Sequence, residues 1–160
     1  MKKYLLNLLV FILIHSIGYS QTKSIKIDSD INKVNHTSIC TDFQVYHCIE
    51  SCIATIIIDT LQINFHKETA STYDDIVISI WHNNFISAYK TVYMAIDSGF
   101  NKWIPLKEEL TLNTSKWTES TILKGVLLLE FQEIYIDKSG LETKTKKIKF
   151  SGQFTTKILK

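Results

Sequence analysis

The chain has 160 residues, 45% of them hydrophobic and 21% charged, with 18 basic side chains, all lysine, against 16 acidic ones. That length holds one domain. A charge this close to balance argues against a protein built to grip nucleic acid, and the lack of any guanidinium fork argues against a clamp for phosphate or carboxylate.

Taken in order, the chain opens with Lys2 and Lys3, an apolar run from Leu5 to Ile14 broken only by Asn7, and the small residues Gly18 and Ser20 ahead of Gln21. This is the layout of a secretory signal peptide over residues 1–20. From Leu5 to Ile17 is too short for the roughly 20 residues that a membrane-spanning helix needs. Without the two leader lysines, acids and bases balance. The expectation is a single exported domain, residues 21–160, periplasmic or secreted, with no membrane span once the leader is gone and no nucleic-acid partner.

Ser24 to Asp28 reads as a short strand and Asp28 to Thr37 as a polar loop. Asp28, Asp30 and Asn32 match the start of a calcium loop, but Lys33 stands where that loop needs glycine, so no metal is assigned.

Cys40 to Ile58 fits two patterns. Val45, Ile49, Cys52, Ile53 and Ile56 would share a helix face. The β-branched run Ile56-Ile57-Ile58 and the alternation of Phe43, Val45, His47 and Ile49 with Gln44, Tyr46 and Cys48 favour strands. Three cysteines in an exported chain point to a disulfide among Cys40, Cys48 and Cys52. Cys48 and Cys52 flank a tight loop at Ile49-Glu50-Ser51, and Cys40 could reach Cys52 if Thr41-Asp42 turns a corner. Cys40 with Cys48 is ruled out on an unbroken strand, because eight residues extend roughly 26 Å. His36, Cys40, His47, Cys48 and Cys52 follow no zinc spacing, and an oxidising compartment works against free thiols. Neither a metal nor a cofactor is expected, and a Cys48 nucleophile would have His47 on the opposite strand face.

Leu61, Ile63 and Phe65 form the inner face of the next strand, and His66 to Asp75 reads as a polar connection. Ile76, Ile78 and Ile80 then alternate with Val77, Ser79 and Trp81. Asn83-Asn84 suits a two-residue turn, and Phe85 to Ile96 is the partner strand. Trp103 to Leu112 contains the lone proline, Pro105, which suits a sheet edge or a strand start. Asn113 to Ser120 is a loop carrying Trp117.

The clearest pattern comes last, a long hairpin from Thr121 to Lys160. Ile148, Phe150, Phe154 and Ile158 hold even positions. Lys147, Lys149, Ser151, Gln153, Thr155 and Lys157 hold odd ones, so one strand face is buried and the other is wet. The outgoing strand, Ile122 to Ile136, is nearly all apolar through Val126-Leu127-Leu128-Leu129, which predicts a central strand covered on both faces. Asp137-Lys138-Ser139-Gly140 makes the turn. The lysines of the return strand read as a solvated face that discourages edge pairing.

These elements predict an all-β fold, an antiparallel sandwich of about nine strands, with a lipocalin-like barrel as the alternative. The matching function is a small exported binding module for a protein, a glycan or an envelope component, with Trp81, Trp103 and Trp117 as its ligand-contacting rings. A barrel would instead carry a small apolar ligand. A hydrolase is the remaining alternative, but Asp74-Asp75 and Glu108-Glu109 are sequence neighbours that point apart on strands, and no catalytic residue is assigned.

Overall fold

The alternating pattern is realised as ten strands in one mixed sheet. The computed structural model describes residues 22–42, 48–70, 72–82, 84–93 and 100–160, and the leader assigned to residues 1–20 lies outside them. The strands are β1 (Thr22–Ile27), β2 (Ser38–Thr41), β3 (Cys48–Ile49), β4 (Cys52–Ile57), β5 (Thr60–Glu68), β6 (Thr72–Trp81), β7 (Asn84–Tyr93), β8 (Phe100–Leu112), β9 (Ile122–Ile136) and β10 (Glu142–Leu159). A 3₁₀ turn at Ser29–Lys33 follows β1. The Asp28 carboxylate caps it by accepting from the Asp30 N–H at 2.9 Å.

The main path runs β1-β8-β9-β10-β4-β5-β6-β7, with β2 on β10 and β3 on β2. Two joins are parallel, β1 with β8 and β10 with β4, and the others are antiparallel. β1 and β7 stand at opposite ends of the path without pairing, so the sheet is not closed into a barrel. It curls over its own core. Tyr89 on β7 packs against Trp103 on β8, Phe131 on β9 and Phe150 on β10, at ring separations of 4.4, 5.9 and 4.7 Å. Phe65 on β5 meets Phe154 on β10 edge-on at 5.2 Å. Leu61, Ile63, Phe65, Ile76, Ile78, Ile80 and Phe85 are fully buried, opposite Leu127, Leu129, Phe131, Phe150 and Phe154. Each such side chain contributes about 1.5–3 kcal/mol relative to exposure.

β9 is central by pairing, between β8 and β10. Only one of its faces is covered, however. Leu123, Leu127 and Leu129 point into the core, while Val126 on the other face is open to solvent. The apolar run therefore misleads about the second face. Pro105 lies inside β8, where β1 does not reach, because β1 pairs only from Lys107 onward. A bulge at Leu106 interrupts the ladder to β9 between Pro105 and Lys107. The extra residue shifts the parity, so Trp103 and Glu108 face the same side although one is odd and the other even.

β10 serves two partners along one edge. Phe150 to Gln153 pairs with β2, and Ile158-Leu159 pairs with β4. Between them the Thr37 hydroxyl donates to the Thr155 carbonyl at 3.0 Å and accepts from the Thr155 N–H at 3.1 Å, in place of a strand. Thr156 Oγ1 donates to the Cys52 carbonyl at 3.0 Å across the same gap. Gly152 lets β2 come close, since a Cβ there would run into Ser38 O and Ile39 Cα. Gly125, directly opposite Phe154, leaves the space its ring occupies.

Between Cys40 and Ile58 the described residues form strands β2, β3 and β4 and no helix, with a correction. The chain turns at Asp42, so β2 and β3 form a short antiparallel pair in place of one long strand, and Cys40 stands opposite Cys48. They are disulfide-bonded, with Cα atoms 4.0 Å apart. The exclusion of this pair rested on an unbroken strand, and the turn removes that premise. Cys52 is the free thiol, half-buried beside Thr37, and burial pushes its pKa up. Phe43 to His47 lies outside the described residues. Two further expectations shift. His66 to Asp75 is mostly strand, with β5 running to Glu68 and β6 starting at Thr72. Asn84 is not in the β6–β7 turn but in β7, because it pairs with Trp81.

Glu108 ties the two ends of the open sheet together. Its side chain is 1% exposed. It accepts from the Ser87 N–H at 2.8 Å and the Ser87 hydroxyl at 2.6 Å, and it lies 3.3 Å from the Lys23 ammonium. Removing it leaves a part-buried N–H of β7 and a cation without this acceptor. Glu108→Ala is expected to cost about 2–3 kcal/mol in urea unfolding, and Glu108→Gln, which keeps an acceptor, less. Peptide mapping without reductant should recover Cys40 linked to Cys48. Cys52 should be the alkylated thiol, reacting slowly at neutral pH because its thiolate is suppressed.

Candidate functional site

Strand alternation gives each half of the sheet an inner and an outer face, and the two outer faces differ in chemistry. Across β8, β9 and β10 the outer face carries charge. Lys107, Glu130 and Lys149 form one row of alternating sign, and Lys107 pairs with Glu109 at 3.1 Å. This is the lysine-bearing wet face that the hairpin pattern predicts.

The outer face of β4–β7 is built from different residues. Ile53, Asn64, Val77 and Ala88 form one row across the four strands, and Thr55, Gln62, Ser79 and Ile86 form the next. A third has Ile57 opposite Thr60 and Trp81 opposite Asn84. No side chain in these three rows is ionisable. Every position is open to solvent in whole or part, and Ile53, Ile57 and Ile86 are each more than half exposed. The face continues onto Leu159, beside Thr55, and Ile122, beside Lys157, both exposed. Charge returns at its border, in the row His66, Asp75 and Lys90. An apolar and amide-rich centre inside a charged rim is the usual anatomy of a docking surface.

Ile58 caps this face at the β4–β5 hairpin tip. It is 90% exposed and its φ is +57°. Glycine is the usual residue at the first position of such a two-residue turn. A β-branched side chain there is strained by about 1–2 kcal/mol. Among the described residues none buries the side chain to offset that cost.

The three tryptophans do not converge. Trp81 belongs to the neutral face, at the end of β6, half-buried. Trp103 points to the interior, edge-on to Tyr89, whose hydroxyl donates to Asp74 at 2.7 Å. Along β7, Tyr89 lies roughly 17 Å from the turn beside Trp81. In the same inner row as Trp103, Glu133 is nearly buried and pairs with Lys146 at 2.8 Å. Trp117 packs on the core, its indole N–H donating to Thr114 O at 3.3 Å. Sequence reasoning missed the neutral face because its residues are scattered over four strands. The available signal was the scarcity of charge at the outward positions of Ile53 to Ala88.

Among the described residues no group of three His, Cys, Asp or Glu side chains could hold a metal, and no helix is long and apolar enough to cross a membrane. Comparison with known proteins finds no matching family, no similar curated protein and no similar solved structure.

At the rim, the His66 ring nitrogen Nδ1 sits 2.5 Å from the Asp75 carboxylate, with Glu68 at 3.9 Å from Nε2. The hydrogen bond to Asp75, more than the attraction of either acid, holds the imidazole pKa above its ordinary 6.5. The folded value is raised, so this contribution is fully present below pH of about 6.5 and is lost as pH rises through the folded pKa. Proton NMR of His66 should show the raised midpoint, and Asp75→Asn should bring it back down.

Proposed function

We propose that this chain is an exported, non-catalytic interaction module that engages a protein partner through the neutral outer face of β4–β7. The observation that carries this reading is three strand rows with no ionisable side chain, holding Ile53, Ile57 and Ile86 open to water. Evenly charged surfaces keep soluble chains apart, and contiguous exposed apolar area marks contact sites.

Export is supported by the signal-like residues 1–20, which lie outside the described structure, and by the Cys40–Cys48 disulfide, which suits an oxidising compartment. We read the curled sheet as an open two-layer sandwich. Its interior is packed with Phe65, Phe131, Phe150 and Phe154, which weighs against the carrier of an apolar ligand. A glycan platform needs several rings on one surface, and of Trp81, Trp103 and Trp117 only Trp81 lies on this face. Trp81 therefore remains a proposed contact residue at the border of the face, whereas Trp103 and Trp117 are better suited to packing.

A photo-crosslinking residue at position 86 of the exported protein should give protein-sized adducts in the producing cell. The same residue at position 151, on the charged outer face, should give none. Failure to crosslink from position 86, or equal yields from both sites, would overturn the reading.

A further inference from the structure

Building on the docking role of this face, we propose that its partner is a second copy of the same chain, joined face to face about a two-fold axis. Three observations select this occupant. The first is chemical. Thr55, Gln62, Asn64 and Ser79 carry hydroxyl and amide groups, each both donor and acceptor. A copy of the face therefore supplies the complement of every such group, and within β4–β7 no like charges meet. The lysine-bearing face of β8–β10 would repel its own copy. A lipid surface fails the first condition, since hydrocarbon leaves those groups without partners.

The second is area. The three neutral rows cover four strands, roughly 19 Å by 20 Å at the usual spacings, and Leu159 and Ile122 carry apolar surface past Lys157 to six strands, roughly 29 Å. In projection that is roughly 400–600 Å² per copy and about 800–1,200 Å² over both, the small end of specific interfaces.

The third is Ile58. It is held in a left-handed conformation with its side chain 90% exposed. It extends the apolar row of Ile57 beyond the sheet, where no described residue covers it. Strain kept at an exposed apolar tip is expected where the side chain itself makes the contact.

Sedimentation of the purified chain between about 1 and 100 µM should show a dimer, with a dissociation constant in the micromolar range or below. Ile86→Lys should weaken it at least about tenfold by placing a charge in the desolvated centre, with circular dichroism and melting of the dilute protein unchanged. Ser151→Lys, on the opposite outer face, should leave it unaltered. Ile58→Gly should weaken the dimer several-fold yet raise the melting temperature of the dilute monomer, because the strain is gone. A merely structural tip would not move the two in opposite directions. A chain monomeric to 100 µM overturns the proposal, as does a dimer indifferent to Ile86→Lys or equally sensitive to Ser151→Lys. A monomer that pellets with phosphatidylglycerol–phosphatidylcholine vesicles assigns the face to lipid and also overturns it. If the chain is monomeric while position 86 still crosslinks to a different protein, docking by this face stands and self-pairing falls.

Discussion

The fold depends on how a single long strand, β10, divides its edge between two partners. β9 covers one edge of β10 along almost its whole length. The other edge meets an antiparallel strand first and a parallel one last, and no single strand can continue across that reversal of direction. Backbone groups left open there would each cost about 1–3 kcal/mol if buried without partners. The Thr37 hydroxyl occupies the gap as donor and acceptor at once, which a valine of the same shape could not do. Gly152 upstream lets β2 approach, and Gly125 across the ladder makes room for Phe154. With this junction closed, the two halves of the sheet can curl over one core without the ladder being broken.

What could be read from the residues follows the same physics. Alternation is a local property, and where one face is buried it is unambiguous. Leu61, Ile63 and Phe65, then Ile76, Ile78 and Ile80, then Ile148, Phe150 and Phe154 all point inward as their spacing requires. The all-β class follows from them. Other features are set by tertiary context. The turn at Asp42 that brings Cys40 to Cys48 is marked in the residues only by Asp42 itself, and the alternation from Phe43 to Ile49 that follows reads as strand. The stretch His66 to Asp75 reads as a loop because its side chains are polar, yet the end of β5 and the start of β6 pair there on backbone bonds that composition does not reveal. The Leu106 bulge reverses the parity of β8 and hides that Trp103 points inward. For the candidate site, Trp81 was legible as a surface aromatic. The neutral face around it was not, since it is made by register across four strands.

The two outer faces carry opposite solutions to the same problem. A sheet face turned to solvent can be protected from other sheets by charge, and the alternating Lys107, Glu130 and Lys149 row does this on β8–β10. The β4–β7 face lacks that protection although the chain has lysines and acids in abundance. They are placed at its border instead, in His66, Asp75, Lys90 and Lys157. A boundary of this kind limits contact to the neutral centre and sets its extent.

The hairpin tip sharpens the point. Position 58 needs a positive φ, which glycine and asparagine adopt at little cost, and asparagine is plentiful elsewhere in this chain. An isoleucine there raises the energy of the isolated chain twice, through the backbone and through exposed apolar surface. Burial against another surface reverses the second effect and can offset the first, so the residue is disfavoured in the free chain and favoured only in a contact. Its neighbours Ile57 and Ile53 face outward on the same strand and share that dependence. Three isoleucines on one short strand and its turn, open to water on a face emptied of charge, are what the proposed interface requires, and no packing among the described residues uses them.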